Sequence, residues 1–221
     1  MTKLTVTKTS FTAGEIDPAL FGRVDLRAYD EGAATLRNVV VERTGGVSRR
    51  PGTVFLANRM GLFRSDDRGD SWTAISEDLS RQLDRDRLPI MGRIWEMDAV
   101  HKNKSTSDYG NIVSLTESTL VEGLLYVGTD DGRVWRTDDS GANWTEINRG
   151  LPYQKWVAEL VASKYDEATV YMAQNGKRDD DFTPYLWKST DYGESWTSIV
   201  ANLPSGPLNV IKEDPENPDI L

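Results

Sequence analysis

Three stretches of the chain repeat one pattern: SDDRGDSW at residues 65–72, TDDSGANW at 137–144 and STDYGESW at 189–196. Each has a hydroxyl residue at its start, then an aspartate, a glycine and a closing tryptophan at the same spacing. Two apolar residues and a cation precede each stretch, and a threonine and an isoleucine follow it. Apolar residues on both sides of a short polar segment that contains glycine predict a β-hairpin. Three such hairpins indicate a repeat protein.

The residues shared by the three stretches have the chemistry of a turn. Short hydroxyl and carboxylate side chains hydrogen-bond to nearby backbone N–H groups. Glycine adopts a positive φ without steric cost, and tryptophan brings a large apolar area to bury. We therefore predict structural roles, with no catalytic residue, metal ligand or cofactor among them, for these residues: Ser65, Asp67, Gly69, Trp72, Thr137, Asp139, Gly141, Trp144, Ser189, Asp191, Gly193 and Trp196.

This pattern resembles the Asp-box of the BNR repeats, named after the bacterial neuraminidases. Such repeats occur in sialidases, sortilin-like receptors, photosystem assembly factors and glycosyl hydrolase-like proteins. The resemblance covers about residues 61–221 and includes the phrases LDRDRLP and KNKSTSDYGN between the first two stretches. In these families the box joins the third and fourth strands of a β-propeller blade. The resemblance therefore implies a propeller, and we call the three stretches the first, second and third box.

Short apolar runs around the boxes predict four-stranded blades. Two complete sets of four runs cover 112–147 and 156–199, separated by Gly, Asp and Asn. The first box has only its own hairpin, about 61–76, and residues 207–221 align with the start of a further blade. The predicted fold class is all-β: an incomplete β-propeller of about two full four-stranded blades plus two partial blades, with a short mixed segment at the N-terminus.

Residues 1–57 contain no box and resemble the start of podovirus-type phage head–tail stabilisation or nozzle proteins. The resemblance divides the chain into a phage tail-protein-like segment, 1–57, and an Asp-box propeller fragment, 58–221, and it makes the chain chimeric. A short helix is expected over 28–36. The residues that carry the resemblance are Phe11, Gly14, Glu15, Pro18, Gly22, Arg23, Asp25, Leu36, Arg37, Asn38, Gly45, Gly46, Arg49, Arg50, Pro51, Gly52 and Thr53.

Composition excludes several classes of function. The chain has 221 residues, no cysteine, one histidine and a formal net charge of −9. The lack of cysteine excludes disulfides and cysteine-ligated metals, and the acidic balance argues against nucleic-acid binding. No apolar run approaches the ~20 residues of a membrane span, and the first residues lack the apolar stretch of a secretory signal. The sequence indicates no location, although a virion is compatible with it.

An enzymatic function is not expected. The one histidine, His101, stands in a polar stretch and is interpreted as a surface residue. A glycosidase needs two carboxyl groups about 5–10 Å apart, and the box aspartates are expected to be committed to turns. The turn at 128–132 and the acidic run at 179–181 are calcium candidates. Both lack EF-hand spacing, which favours solvated loops.

The function predicted from the sequence is a non-catalytic binding or structural module that contacts a protein or a glycan. Self-association through open blade edges is expected as well, because an incomplete ring leaves strand edges unpaired. The alternative is that the N-terminal segment folds over one edge, with 38–42 and 53–57 as its candidate strands. Two alternatives stay open. One is a component of a phage tail or head–tail joint, for which residues 1–57 argue. The other is a fragment of a glycoside hydrolase-like protein, which only the resemblance suggests.

Overall fold

A computed structural model of the protein describes residues 24–26, 39–43, 53–58, 61–89, 91–96, 99, 109–152 and 154–221. Within these residues the strands form three antiparallel sheets. Helix is limited there to two single 3₁₀ turns, at Arg85–Arg87 and Lys177–Asp179. None of the helices in the described ranges is long and apolar enough to cross a bilayer. The predicted all-β class is confirmed, and the sheets are compatible with an incomplete propeller.

In each sheet the strands lie side by side in chain order. The first sheet contains β1 (Val24–Leu26), β2 (Val39–Arg43), β3 (Val54–Asn58), β4 (Gly61–Ser65) and β5 (Thr73–Ala74). The second contains β6 (Ile112–Glu117), β7 (Leu125–Thr129), β8 (Val134–Thr137) and β9 (Thr145–Glu146). The third contains β10 (Trp156–Ala162), β11 (Val170–Gly176), β12 (Asp181–Ser189) and β13 (Thr197–Ser198). The second and third sheets match the two complete blades predicted from the sequence.

The first sheet is larger than the hairpin expected at 61–76. The strand β3 pairs with β4 from Val54 opposite Ser65 to Asn58 opposite Gly61, and β2 pairs with β3. Phe55 and Ala57 are buried in the core, which gives β3 an apolar face. The hairpin β4–β5 that carries the first box therefore has three further strands, β1, β2 and β3, ahead of it in the same sheet. These pairings run across the predicted division at residues 57 and 58, and that division stays a prediction.

Residues 207–221 form no strand, although a partial blade was expected there. Ile211 is buried and packs on Tyr171 and Ala173, on the face of the third sheet that points away from the second. The Glu213 carboxylate accepts hydrogen bonds from the backbone N–H of Lys164 at 2.9 Å and from the Ser163 hydroxyl at 2.6 Å. Because no described strand lies beside this segment, side-chain contacts rather than a ladder attach it to the sheet.

Three predictions cannot be compared with the structure. The helix expected over 28–36, the surface residue His101 and most residues that carry the phage resemblance lie outside the described residues. The charged stretch 77–89 is described, and it contains only the 3₁₀ turn noted above.

The core lies between neighbouring sheets. One cluster, between the first and second sheets, includes Phe55, Leu62 and Val127. A second cluster, between the second and third sheets, includes Tyr126 and Met172. Successive residues of a strand point to opposite faces, so β7 contributes to both clusters. This position explains why the run that contains β7, LLYVG, is apolar without alternation.

Candidate functional site

The two ends of each sheet carry different turns. The boxes join the last two strands of each sheet at one end, which we call the box end. In the second and third sheets, the turn between the second and third strands and the segment that enters the first strand lie at the opposite end, because neighbouring strands are antiparallel. We call this opposite end the loop end.

In the second box the Asp139 carboxylate organises the turn. Its Oδ1 accepts hydrogen bonds from the Thr137 hydroxyl at 2.7 Å and from the backbone N–H of Asn143 at 2.8 Å. Its Oδ2 accepts from the Asn143 side-chain amide at 2.7 Å. The Thr137 oxygen in turn accepts from the N–H of Gly141 at 3.0 Å. Equivalent bonds occur in the other two boxes, between these residues: Ser65, Asp67, Gly69 and Ser71; Ser189, Asp191, Gly193 and Ser195.

The hydrogen bonds of the box lower the pKa of its aspartate. The bond from the Asn143 side chain contributes most to a pKa of about 2 for Asp139, and the bond from Ser71 contributes most to a pKa of about 2 for Asp67. The pKa of Asp191 is lowered as well, chiefly by the Ser189 hydroxyl. Donors that bind the charged form favour it. The box aspartates are therefore ionised at neutral pH and are poorly suited to donate a proton.

The glycines of the second and third boxes bring their turns against the preceding sheet. Gly141 has a φ of 96°, and a Cβ added to it would lie 2.6 Å from the carbonyl oxygen of Ile75. Gly193 has a φ of 90°, and a Cβ there would collide with the end of the Ile147 side chain. Only glycine combines this conformation with such a close approach.

The tryptophan of the box completes the contact with the preceding sheet. Trp144 Nε1 donates to the carbonyl oxygen of Ile75 at 2.8 Å, and Trp196 Nε1 donates to that of Ile147 at 2.8 Å. In both cases the acceptor stands three residues after the tryptophan of the preceding box. We call this contact, with the glycine beside it, the Trp–Ile latch. The isoleucine is visible in the sequence after each box, but the pattern does not predict that its carbonyl oxygen accepts this hydrogen bond.

The predicted site residues do not form one common site. One box belongs to each sheet, and the hydroxyl residues that start the boxes, Ser65, Thr137 and Ser189, are buried. The carboxylates of Asp67 and Asp139 lie at the surface, but their hydrogen bonds stay within the turn. That these residues stabilise the fold stays a prediction.

At the loop end two buried carboxylates bind the backbone. Asp130 Oδ1 accepts from the N–H groups of Gly110 and Asn111, both at 2.8 Å. Asp131 Oδ2 accepts from the N–H of Arg81 at 2.7 Å. Burial raises the pKa of Asp130 although these bonds oppose the rise. Both side chains therefore attach neighbouring loops to the turn between β7 and β8.

A second group at the loop end surrounds Lys155. Its Nζ lies 2.8 Å from Asp181 Oδ2 and 3.6 Å from Asp179 Oδ2. The Tyr185 hydroxyl donates to the same Asp181 oxygen at 2.7 Å. The bond from Lys155 is the main reason that the pKa of Asp181 lies well below its usual range, and the same bond raises the pKa of Lys155. This group was not predicted from the sequence.

Aromatic and cationic side chains of the loop end lie at the surface. The Arg178 guanidinium lies 4.0 Å from the centre of the Trp156 ring. Phe182 is 49% exposed, and residues 177–180 between β11 and β12 are exposed throughout. We call the exposed residues 177–180 and the first two residues of β12, together with Lys155, Trp156 and Tyr185, the loop-end patch.

In the described ranges no three residues among His, Cys, Asp and Glu are placed to hold a metal ion. The two calcium candidates have other contacts there. The aspartates of the 128–132 turn accept backbone N–H groups, and the acidic run 179–181 lies beside Lys155.

Comparison with known proteins identifies the first box. Residues 62–75 match the BNR-Asp box repeat family. No curated protein matches the chain. The chain therefore contains a BNR-Asp box repeat, in agreement with the resemblance seen in the sequence.

Three solved structures are similar to the chain at low identity. An ancestral GH74 enzyme is 14% identical with a TM-score of 0.49, over 72% of this chain and 17% of that one. The GH74 xyloglucanase from Xanthomonas campestris is 19% identical with a TM-score of 0.49, over 74% and 22% of the two chains. YCF48 bound to D1 peptide is 15% identical with a TM-score of 0.40, over 69% and 37%. The chain thus spans well under half of each structure, and these similarities are too distant to assign a function to it.

Proposed function

We propose that this chain is a non-catalytic binding module of β-propeller type, which contacts a protein or a glycan through the loop-end patch. The observation that carries the proposal is the patch itself. It combines a half-exposed phenylalanine, Phe182, with a cation stacked on an indole, Arg178 on Trp156. Surface aromatic groups of this kind supply contact area to a sugar ring or a peptide, and their polar neighbours orient the ligand.

The charges of the patch favour binding over catalysis. Asp181 shares its carboxylate between Lys155 and Tyr185, and its lowered pKa keeps it ionised. Asp130 has a raised pKa, as a general acid requires, but it is 5% exposed and bound to two backbone N–H groups. A glycosidase needs two carboxyl groups that both face the substrate. These two carboxylates do not meet that requirement.

No contact among the described residues supports either alternative function. The virion component rests on residues 1–57, most of which lie outside the described residues. The glycoside hydrolase fragment rests on the resemblance of its repeats, to which the GH74 structures add likeness below a TM-score of 0.5. The virion alternative also includes the proposals that the chain divides near residue 57 and that it is chimeric.

Binding assays with two classes of probe test the proposal. The chain would be titrated calorimetrically with a soluble β-glucan oligosaccharide and, separately, used to select peptides from a random displayed library. We expect binding in one arm, and a loss of at least about tenfold in affinity for Trp156→Ala and Arg178→Ala, since aromatic and arginine anchors dominate such surfaces. The exposed Asp138→Ala at the box end is the matched control and should bind as wild type.

Binding that survives both loop-end substitutions would move the contact elsewhere and contradict the proposal. No binding in either arm would contradict it too. Release of nitrophenol from an aryl β-glucoside would instead support the hydrolase alternative, provided that substitution of a carboxylate outside the boxes abolishes this release.

A further inference from the structure

Within the described residues the Trp–Ile latch is formed twice, and one more donor and one more acceptor have no partner there. Trp72, in the first box, is 36% exposed, and no described residue accepts a hydrogen bond from its indole. Ile199, after the third box, has the position that Ile75 and Ile147 occupy after theirs. No donor to the Ile199 carbonyl oxygen is found in the part of the chain that the structure describes.

The latch between the second and third sheets also contains a charge pair. Arg136, just before the second box, donates to the carbonyl oxygen of Tyr192 at 3.2 Å and lies 4.0 Å from the Glu194 carboxylate. The Arg136 side chain is mostly buried there, with 17% of it exposed. A cation from one sheet therefore lies beside an anion from the next box.

The first box, which carries Trp72, and the third sheet, which carries Ile199, have charged residues at the positions that correspond to Glu194 and Arg136. Lys188 precedes the third box as Arg136 precedes the second, and Asp70 follows Gly69 as Glu194 follows Gly193. Lys188 Nζ lies 5.6 Å from the Tyr171 ring, on the face that points away from the second sheet. Within the described ranges neither Lys188 nor Asp70 has an ion-pair partner.

We propose that copies of this chain associate head to tail through a third Trp–Ile latch. The first box of one copy docks on the third sheet of another copy. Trp72 donates to the Ile199 carbonyl oxygen, Gly69 lies against the Ile199 side chain, and Asp70 lies beside Lys188. A second copy is the occupant because the chain itself carries both parts of a latch. They match both existing latches in hydrogen bonding and shape, and they match the latch between the second and third sheets in charge.

This contact between copies is small, and it does not close into a symmetric dimer. Residues 207–214 already cover Tyr171 and Ala173 on the same face, and Ile199 packs against the cluster that these residues form with Ile211, so the second copy reaches only the part of Ile199 and Lys188 that stays accessible. A small interface gives weak association. The two surfaces in contact are different, so each pair of copies still has one free donor and one free acceptor. We therefore expect the average mass to rise with concentration beyond that of a dimer.

A charge-swap experiment tests the proposal. Sedimentation velocity would follow the full chain from about 10 µM to about 1 mM, where a weak interface becomes populated. Asp70→Lys and Lys188→Glu alone should each weaken association by about five- to tenfold, because each brings like charges together. An equimolar mixture of the two variants should associate as wild type does, since both contacts between unlike copies are then complementary.

Two further variants separate the latch from general effects of charge. Trp72→Phe keeps a ring but loses the N–H donor, and it should weaken association by about fivefold, the equivalent of one hydrogen bond. Asp138→Lys makes the same charge change as Asp70→Lys at an exposed position outside both surfaces and should change nothing. Unchanged thermal unfolding would show that each variant is folded.

A monomeric mass over the whole concentration range would overturn the proposal. Association that neither charge reversal weakens would overturn it equally, and it would point to open strand edges instead. Failure of the mixture to regain association would show that Asp70 and Lys188 do not meet.

Discussion

The indole of Trp135, between the first and second sheets, donates to the Leu79 carbonyl oxygen at 2.7 Å. The corresponding indole of Trp187, between the second and third sheets, is buried and has no hydrogen-bond partner among the described residues. The second interface contains two more such groups. The Tyr126 hydroxyl and the Gln174 amide are both buried and unpaired in the described part of the chain. Burial raises the pKa of Tyr126 strongly, which keeps its hydroxyl protonated.

The latches themselves do not differ in this way. The tryptophan-to-carbonyl distance is 2.8 Å in both interfaces. In each interface a glycine also approaches the isoleucine that accepts this hydrogen bond. The repeated sequence pattern therefore determines the contact at the box end, while residues outside the pattern determine how well the rest of each interface is satisfied. An unpaired buried polar group costs about 1–3 kcal/mol. We infer that the second interface gains less from its polar groups than the first.

Substitution of the box glycines should give the largest effect and should differ between the interfaces. Gly141→Ala forces a positive φ on alanine and brings its Cβ against the Ile75 backbone, so we expect a loss of about 3–5 kcal/mol in the free energy of unfolding. Gly193→Ala has the same φ cost, but the Ile147 side chain can rotate away, and the loss should be about 1–2 kcal/mol. Urea unfolding measures both. Equal losses would show that the two latches do not differ in their freedom to adjust.

Part of this comparison could be predicted from the sequence. The spacing of hydroxyl, Asp, Gly and Trp predicted the three hairpins, because turn chemistry is local. The apolar runs predicted the second and third sheets. Strands at 38–42 and 53–57 that could cover an edge were indicated as well, and β2 and β3 stand at these positions. Because they have no repeat of their own, the sequence did not place them in one sheet with the first box.

The contacts between sheets were harder to predict. Trp144 binds Ile75 across 69 residues, and no local pattern encodes so distant a partner. The loop-end patch was missed for the same reason. Lys155 and Trp156 come from the segment that enters β10, and Arg178 and Asp181 come from the turn before β12, so only the fold brings them together.

Replacement of two equivalent tryptophans by phenylalanine should sharpen the comparison with a smaller effect. Trp135→Phe and Trp187→Phe remove similar apolar area, but only the first breaks a hydrogen bond. Trp135→Phe should therefore destabilise the protein by about 1 kcal/mol more than Trp187→Phe. The measurement is urea unfolding with unchanged m-values. A larger loss for Trp187→Phe would show that its indole has a partner in solution, such as a buried water.

The smallest expected effect concerns acid and the box aspartates. Asp139 has a pKa of about 2 in the folded protein against 3.8 for an unperturbed aspartate. Between these values the unfolded chain binds more protons, so the stability that the Asp139 carboxylate contributes is present above about pH 4 and is lost as the pH falls towards 2. The urea midpoint of the wild type should fall over this range, and Asp139→Asn should make the fall shallower because its amide does not titrate. Asp138→Asn is the matched control, since its side chain accepts none of the hydrogen bonds of the second box. If Asp139→Asn and the wild type lose stability with the same slope, the hydrogen bonds of the box do not stabilise the folded state, and the shared turn would owe its stability to glycine and the Trp–Ile latch alone.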